Sequence, residues 1–431
     1  MTSESTRAHG RVFHEAWAWL ALALPFLVTA LLLHCLQTTI FTFHWTDESD
    51  FHWPVILKFA GQWPWLDFSD YQSATTPLFH VVFAALGKLL GFDLPTLRAV
   101  NVLVSFLVGL VYKRLLTEQL KFDGVSAVLA ALAFVLSPYF FGVSFVLLTD
   151  NLAWLFGMLS LLCLLRFSSR GAVGAGVGVE SAWCFGCLCL ALTLLTRQSF
   201  AWLALVFGGV GALAPGRMAL RLGRLAVLGL STMPMLALFY RWHGPLPPSF
   251  QNLHESQQWI NPRALGFSFA VLGLYAWPLL WAQLDHSKGG LLALLFGGLT
   301  GMAWLLLMPL PALSNDDGFL WRASWLLPQW QGASVMFWFL VPSGAAAFVH
   351  LLWRRPDDLG LWAFVAFTAT MLHSGILFQK YFDPFIPLFL MLSRGDRSPS
   401  TRLAEKLVWA AMALGGVAYA GLPYLKHPAA A

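Results

Sequence analysis

The sequence predicts an all-α polytopic transmembrane helical bundle of about 12–13 spans, and three observations predict it. Of 431 residues, 58% are hydrophobic and 11% are charged. Ordinary soluble domains carry about 45–50% and about 25%, so this chain has too few charges to clothe a water-facing surface. The apolar residues fall in blocks of about 18–22, the length that crosses ~30 Å of hydrocarbon at about 1.5 Å per residue. Many of the 21 tryptophans flank those blocks, where interfacial anchors belong.

Taken in order, the expected spans lie near 16–36, 96–116, 124–142, 147–167, 181–196, 199–214, 223–240, 264–284, 289–310, 334–353, 359–378 and 405–424. A shorter apolar piece, 382–393, contains Pro384 and Pro387 and reads as a broken or tightly packed thirteenth span. No soluble domain or internal repeat interrupts the pattern, so residues 1–431 are read as one integral membrane domain. The first ten residues are polar and lack a cleavable signal pattern, so the first apolar block is expected to remain as a helix.

Basic residues orient the bundle. With Arg7 and Arg11 cytoplasmic, Lys113, Arg114, Lys121, Arg166, Arg170, Arg217, Arg221, Arg224, Lys288, Arg354, Arg355, Arg394, Arg397 and Arg402 all fall on the inner side. That agreement requires residues 77–92 to form a juxtamembrane helix on the outer face, without crossing, and residues 382–393 to cross. The outer side then receives the longer polar loops, 37–76, 241–263 and 311–333, and any chemistry is expected there. These loops hold Asp47, Glu48, Asp50, Asp67, Asp70, His243, His254, Glu255, Asp316, Asp317 and Arg322. The net charge of +5 is scattered at block ends, which argues against a nucleic-acid partner. The absence of any Asn-x-Ser/Thr sequon leans towards a bacterial inner membrane over the endoplasmic reticulum.

Several reaction classes have no motif here: no P-loop, no dinucleotide fingerprint, no His-Glu-x-x-His and no Gly-x-Ser-x-Gly occurs. Cys35, Cys163, Cys184, Cys187 and Cys189 lie inside apolar blocks as packing residues, and the histidines show no metal-ligand spacing. The first outer loop (37–95) is the most informative segment. It runs His44-Trp45-Thr46-Asp47-Glu48-Ser49-Asp50-Phe51-His52-Trp53-Pro54 directly after a span. Adjacent carboxylates repel, so one of Asp47 and Glu48 needs a cationic partner or a raised pKa, and either state suits a general base. The plain alternative is an acidic loop that solvates the outer face.

Three further positions break the pattern of their surroundings. Asp150, in Thr149-Asp150-Asn151, opens an apolar block as an N-cap or as a functional acid. Arg197, in Thr196-Arg197-Gln198-Ser199, runs against the inside bias, either as a snorkelling arginine or as a fork of donors for phosphate. Lys380, in Gln379-Lys380-Tyr381-Phe382-Asp383-Pro384, is a second outer cation, and two such cations suit an anionic lipid headgroup.

The order Asp47-Glu48, Phe51-His52, Gly61, Trp65, Asp67, Thr75-Thr76-Pro77, Leu97-Arg98 and Asn101 resembles the dolichyl-phosphate-glucose α-1,2-glucosyltransferases of N-glycan precursor assembly. So do Pro138-Tyr139-Phe140-Phe141, Thr149-Asp150, Arg197-Gln198, Asn315-Asp316 with Trp321-Arg322, and Lys380-Tyr381-Phe382 with Pro387. That family spaces its acidic pair one residue closer to Phe-His and usually has Arg where Lys380 stands. Thr76-Pro77-Leu78 through Leu97-Arg98 is equally similar to bacterial protein mannosyltransferases and aminoarabinose transferases. Both groups belong to the GT-C superfamily of polyprenyl-phosphate-sugar-dependent membrane glycosyltransferases.

The resemblance implies an inverting transfer of a hexose, glucose in the first of these families, from a polyprenyl-phosphate carrier. The acceptor would be a hydroxyl of a lipid-linked glycan, a lipid or a protein. By that analogy Asp47, helped by Glu48, deprotonates the acceptor, while Arg197 and Lys380 hold the leaving phosphate. His52, Asp150, Gln198 and Tyr381 orient the substrates, and neither a metal nor a cofactor is required. The rival expectation from another class is a transporter or flippase of a lipid-linked sugar. The crowding of polar residues on one face favours the enzyme, because alternating access needs a midplane site served from both faces.

Overall fold

The computed structural model describes residues 2–35, 44–171, 177–254, 260–280, 284, 286–311, 316–393 and 406–416. The protein is an all-α polytopic membrane bundle, about 78% helical. Its helices are α1 (Thr2–Cys35), α2 (His44–Asp47), α3 (Trp53–Gln62), α4 (Leu78–Leu90), α5 (Leu94–Glu118), α6 (Gly124–Val135), α7 (Pro138–Phe141), α8 (Asp150–Gly171), α9 (Val177–Thr196) and α10 (Ala201–Leu213). They continue with α11 (Met218–Trp242), α12 (Pro248–His254), α13 (Arg263–Leu280), α14 (Lys288–Leu307), α15 (Phe319–Trp325), α16 (Val335–Arg354), α17 (Leu359–Met371) and α18 (Phe385–Leu392). A final helix, α19, covers Lys406–Gly416. A two-residue antiparallel ribbon, Gln329–Trp330 with Ala333–Ser334, precedes α16.

Among the described residues, seven helices are long and apolar enough to cross a membrane: Glu15–Cys35, Leu94–Glu118, Asp150–Ser169, Gly178–Thr196, Met218–Trp242, Lys288–Leu307 and Val335–Arg354. Each coincides with an expected span. The block expected as one straight helix at 124–142 is instead broken, Gly124–Val135 and Pro138–Phe145 meeting at 63°. Pro138 explains the break: Ser137 before it is driven out of the helical region, to φ −58° and ψ 142°. The blocks expected at 199–214, 264–284, 359–378 and 405–424 hold apolar helices of 10–17 residues. The piece at 382–393 is helical only over Phe385–Leu392, eight residues. The inner-side residues Arg394, Arg397 and Arg402, the outer-loop residue Glu255, and Asn315 of the family pattern lie outside the described residues.

The chain forms two compact units: residues 1–200, 207–250 and 409–431 in the first, 201–206 and 251–408 in the second. At one end of the first unit, hydrogen bonds and ion pairs join residues 44–76, 142–150, 196–199 and 241–249. The basic pairs Lys113–Glu15, Arg166–Glu118 and Arg224–Glu180 gather on the other helix ends. This grouping is the one the basic residues predict. It also settles the parity of α4. Gln198 binds Ala74 just before that helix, and Glu48 binds Arg98 just after it, so both flanks lie at the same end. Thirteen residues also span only about 20 Å, short of the ~30 Å hydrocarbon thickness.

In the second unit, α13, α14 and α16 pack through small residues, as spans do where lipid removes the usual hydrophobic drive between helices. Gly273 faces the carbonyl of Leu340 and Gly344 that of Phe269, with no room for a Cβ at either position. The loop residues again collect at one end: Asn261 with Leu372 and Ser374, Arg263 with Asp316, and Leu377 with Asp316.

Candidate active site

The first loop is helical where its acids stand. Residues 44–62 form one run in which α2 passes into a π turn, Glu48–His52, and then into α3. The Trp53 N–H reaches back five residues to the Glu48 carbonyl. A π turn accommodates about one residue more than an α turn, and such turns concentrate at functional sites.

The two acidic neighbours are treated differently. Glu48 is 1% exposed and both of its carboxylate oxygens are occupied. Arg98 donates from Nε to Oε1 at 3.1 Å and from Nη2 to Oε2, and the Leu147 N–H donates to Oε1 at 2.6 Å. Asp47 is half-buried on the preceding turn. The other acids of this loop are exposed. Ser49 donates to Asp50, Lys58 pairs with Asp70, and the backbone and hydroxyl of Ser69 hold Asp67 below its ordinary value. Those three solvate the loop end, as the plain reading of an acidic loop expects.

One helix face organises this end of the unit. Arg98, Asn101 and Ser105 are spaced three and four apart on α5, so they share a face. Arg98 takes Glu48, and the Asn101 amide donates to the carbonyls of Val143, Ser144 and Val146. Ser105 accepts from Asn151. Together they fix residues 142–151, a 3₁₀ turn over Gly142–Phe145 followed by an extended stretch that leads into α8.

That segment carries the next two expected residues. Asp150 is the first residue of α8, and its carboxylate forms an ion pair with Arg197, which is 8% exposed. Arg197 also donates to the hydroxyls of Thr149 at 3.2 Å and Ser199 at 3.3 Å. The Asp150 carboxylate thus meets a cation at the start of α8, and Arg197, itself buried, is held by Asp150 instead of reaching out to water. Gln198 donates to the Ala74 carbonyl at 2.7 Å and ties the Thr75-Thr76-Pro77 turn to the end of α9. Thr76 adds a bond to the Leu194 carbonyl at 2.7 Å.

The His52 ring meets Phe79 edge-on, 6.1 Å between centroids, beside an apolar core that also holds Phe59, Phe83, Leu97 and Trp242. Its Nδ1 lies 2.9 Å from Nε2 of His80 on α4, and the other ring nitrogen of His80 lies 2.8 Å from the Tyr71 hydroxyl. Tyr71 is stacked between Phe59 and Trp242, at 5.9 Å from each. Burial, and then the neighbouring His52, hold the His80 pKa well below its ordinary value of 6.5. Burial pushes that of Tyr71 up.

Lys380 and Tyr381 lie in the second unit, on the 3₁₀ turn Gln379–Tyr381. The Lys380 ammonium sits over the rings of Phe378 and Tyr381, 5.2 and 5.5 Å from their centroids. The turn is held on three sides. Gln379 accepts from the Leu320 N–H and donates to Asp383, Tyr275 donates to Asp383, and the Leu377 N–H donates to Asp316. Arg322 of the family pattern pairs with Asp317, while Trp321 is buried and donates to the Leu377 carbonyl.

Glu48, Asp150 and Arg197 are thus brought around residues 142–151, with Asp47 and His52 on the helical run that Glu48 anchors. Sequence reasoning assigned no role to Arg98, Asn101, Tyr71 or His80. A signal existed for two of them: a polar stripe at 98, 101 and 105 in an otherwise apolar span. No family model, no curated protein and no solved structure matches this chain significantly.

Proposed function

We propose that the protein is an inverting GT-C-type glycosyltransferase that moves a hexose, glucose by resemblance, from a polyprenyl-phosphate carrier to a hydroxyl acceptor on the periplasmic or lumenal face. The observation that carries this reading is the division of labour between the first-loop carboxylates. Glu48 is committed to Arg98 and Leu147, which fixes the helical turn on which Asp47 stands. A base must be placed to within a fraction of an ångström to take a proton from an attacking hydroxyl, and a clamped neighbour supplies that placement. The π turn supports the resemblance as well. The acidic pair here stands one residue further from Phe51-His52 than in the glucosyltransferase family, and Glu48–His52 forms a turn that takes up one extra residue.

In this reading Asp47 accepts the proton of the acceptor hydroxyl as its oxygen attacks the anomeric carbon. The carbon–oxygen bond to the phosphate breaks, and polyprenyl phosphate leaves with its negative charge. Fixed cations stabilise that developing charge. Arg197, with its guanidinium already oriented by Asp150, is the first unit's cation for this role. Lys380 is assigned the same role by the resemblance.

The test uses purified full-length protein in detergent with a radiolabelled polyprenyl-phosphate hexose and membrane extract as the source of acceptor. The reading expects release of free polyprenyl phosphate, and a loss of about 10²–10⁴ in rate for Asp47→Asn. Movement of the intact donor across a vesicle membrane, with its glycosidic bond unbroken, would identify a transporter instead.

A further inference from the structure

The basic end of the first unit holds a pocket that the loop-end chemistry does not use. It is a cavity of about 480 Å³ at the ends of α5 and α8, lined by Arg114, Glu118, Gln119, Lys121, Arg166 and Ser169. Its three cations share one carboxylate. Arg114 donates to Glu118 from Nε and Arg166 from Nη2, while the Lys121 ammonium donates to the Glu118 backbone carbonyl at 2.6 Å. The lining therefore carries two positive charges in excess. Asp123, the next acid along the chain, is turned to the start of α6, where it accepts from the N–H and hydroxyl of Ser126. The other basic pairs at this end are matched one to one, Lys113 with Glu15 and Arg224 with Glu180.

The donors are in excess as well. A guanidinium has five N–H groups and an ammonium three. Among the described residues these three side chains bond to nothing beyond Glu118. Forked guanidinium donors and an ammonium around one cavity suit phosphate oxygens, which take charge-assisted hydrogen bonds from both. Cations also gather at helix C-termini to answer the negative end of the dipole. Lys121, on the last-turn carbonyl of α5, meets that need, and Arg114 and Arg166 exceed it.

The flank of the pocket is apolar. Leu103, Leu107, Val111 and Arg114 follow one another at helical spacing on α5 and share a face. Both leucines are exposed on a helix long and apolar enough to span the membrane. A phosphate held at Arg114 thus has an apolar track leading from it along the span, which serves acyl chains and is of no use to a soluble anion. Basic pockets between spans bind anionic headgroups in this way.

We propose that this pocket binds the phosphate headgroup of an anionic phospholipid from the leaflet at the basic end, with Arg114, Lys121 and Arg166 on the phosphate oxygens and the acyl chains along the Leu103–Leu107 face of α5. The site is independent of the glycosyl transfer proposed at the loop end.

Native mass spectrometry of the full-length protein in dodecyl maltoside, titrated with dioleoyl phosphatidylglycerol or dioleoyl phosphatidylcholine, tests it. The two lipids share the phosphate and the acyl chains and differ by the choline cation. Phosphatidylglycerol is expected to bind about fivefold more tightly, the scale of one interfacial charge. Lys121→Gly removes the ammonium at a backbone φ of 55°, which glycine adopts without strain, so the fold is kept. That variant and Arg114→Ala are each expected to weaken phosphatidylglycerol binding about fivefold and to leave phosphatidylcholine binding as it was. Millimolar inorganic phosphate is expected to leave the lipid bound. Displacement by inorganic phosphate makes the pocket a site for a soluble anion and overturns the lipid assignment. Equal affinity for the two lipids, or undiminished phosphatidylglycerol binding in either variant, leaves the cations as caps of the helix ends and overturns the site.

Discussion

The two ends of the first unit use charge in opposite ways. At the basic end the carboxylate of each ion pair stays within reach of water even where its cation is buried: Glu15 is 61%, Glu118 37% and Glu180 31% exposed, beside Lys113, Arg114 and Arg224. At the loop end Glu48 is 1% exposed beside Arg98, and Arg197 and Asp150 close on each other at 10% and 15%. A charge withdrawn from water costs several kcal/mol unless its partner and its hydrogen bonds are well placed. The basic end therefore leaves one partner of each pair solvated, while the loop end commits stability to fixing both partners in space. Stability is spent in that way where geometry matters, as at a site of chemistry.

The comparison can be broken most forcefully at Arg98. Arg98→Met leaves Glu48 buried and charged with only the Leu147 N–H, and should cost about 3–5 kcal/mol of stability, read as a fall in melting temperature in detergent. Arg197→Ala should cost less, about 2 kcal/mol, because Asp150 sits nearer the surface and Thr149 remains beside it. If Arg197 also meets the leaving phosphate, activity per folded molecule falls in that variant as well. Arg114→Ala should cost only about 0.2–1 kcal/mol, and that difference should shrink further in high salt. Equal costs at the two ends would remove the distinction.

The pH response sharpens the same contrast. His80 is held neutral in the folded protein, its pKa well below the ordinary 6.5, whereas the unfolded chain takes up a proton as the pH drops through about 6.5. The unfolded state then binds more protons, so stability falls with falling pH. The loss begins below about pH 6.5, before most carboxylates titrate. Melting curves at pH 7.5 and pH 5.5 should show it, and His80→Gln should remove most of that dependence.

Much of the bundle was legible in the sequence because hydropathy is a local property. The apolar blocks became helices within a few residues, and the non-crossing of α4 followed from the placement of basic residues elsewhere. The bend before Pro138 was locally encoded too, but a count of apolar residues passes over it. The site was legible only in part. Asp47 and Glu48 are indistinguishable in sequence, and what separates them is a backbone N–H at Leu147 and an arginine at 98, distant in the chain and close only in the fold. The partner of Arg197 was hidden for the same reason. Its charge broke the topological pattern, yet nothing local shows that Asp150, on the preceding helix, turns to meet it. His80 reads as one polar residue on an apolar helix until the fold brings His52 and Tyr71 to its two nitrogens.

The central claim is that Asp47 performs chemistry while Glu48 holds it in place. Asp47→Asn and Glu48→Gln, measured side by side for release of polyprenyl phosphate per folded molecule and for melting temperature, test it most directly. The account predicts that Asp47→Asn loses about 10²–10⁴ in rate at a near-normal melting temperature. Glu48→Gln should melt several degrees lower and keep more activity per folded molecule. A fully active Asp47→Asn beside an inactive but stable Glu48→Gln would contradict it.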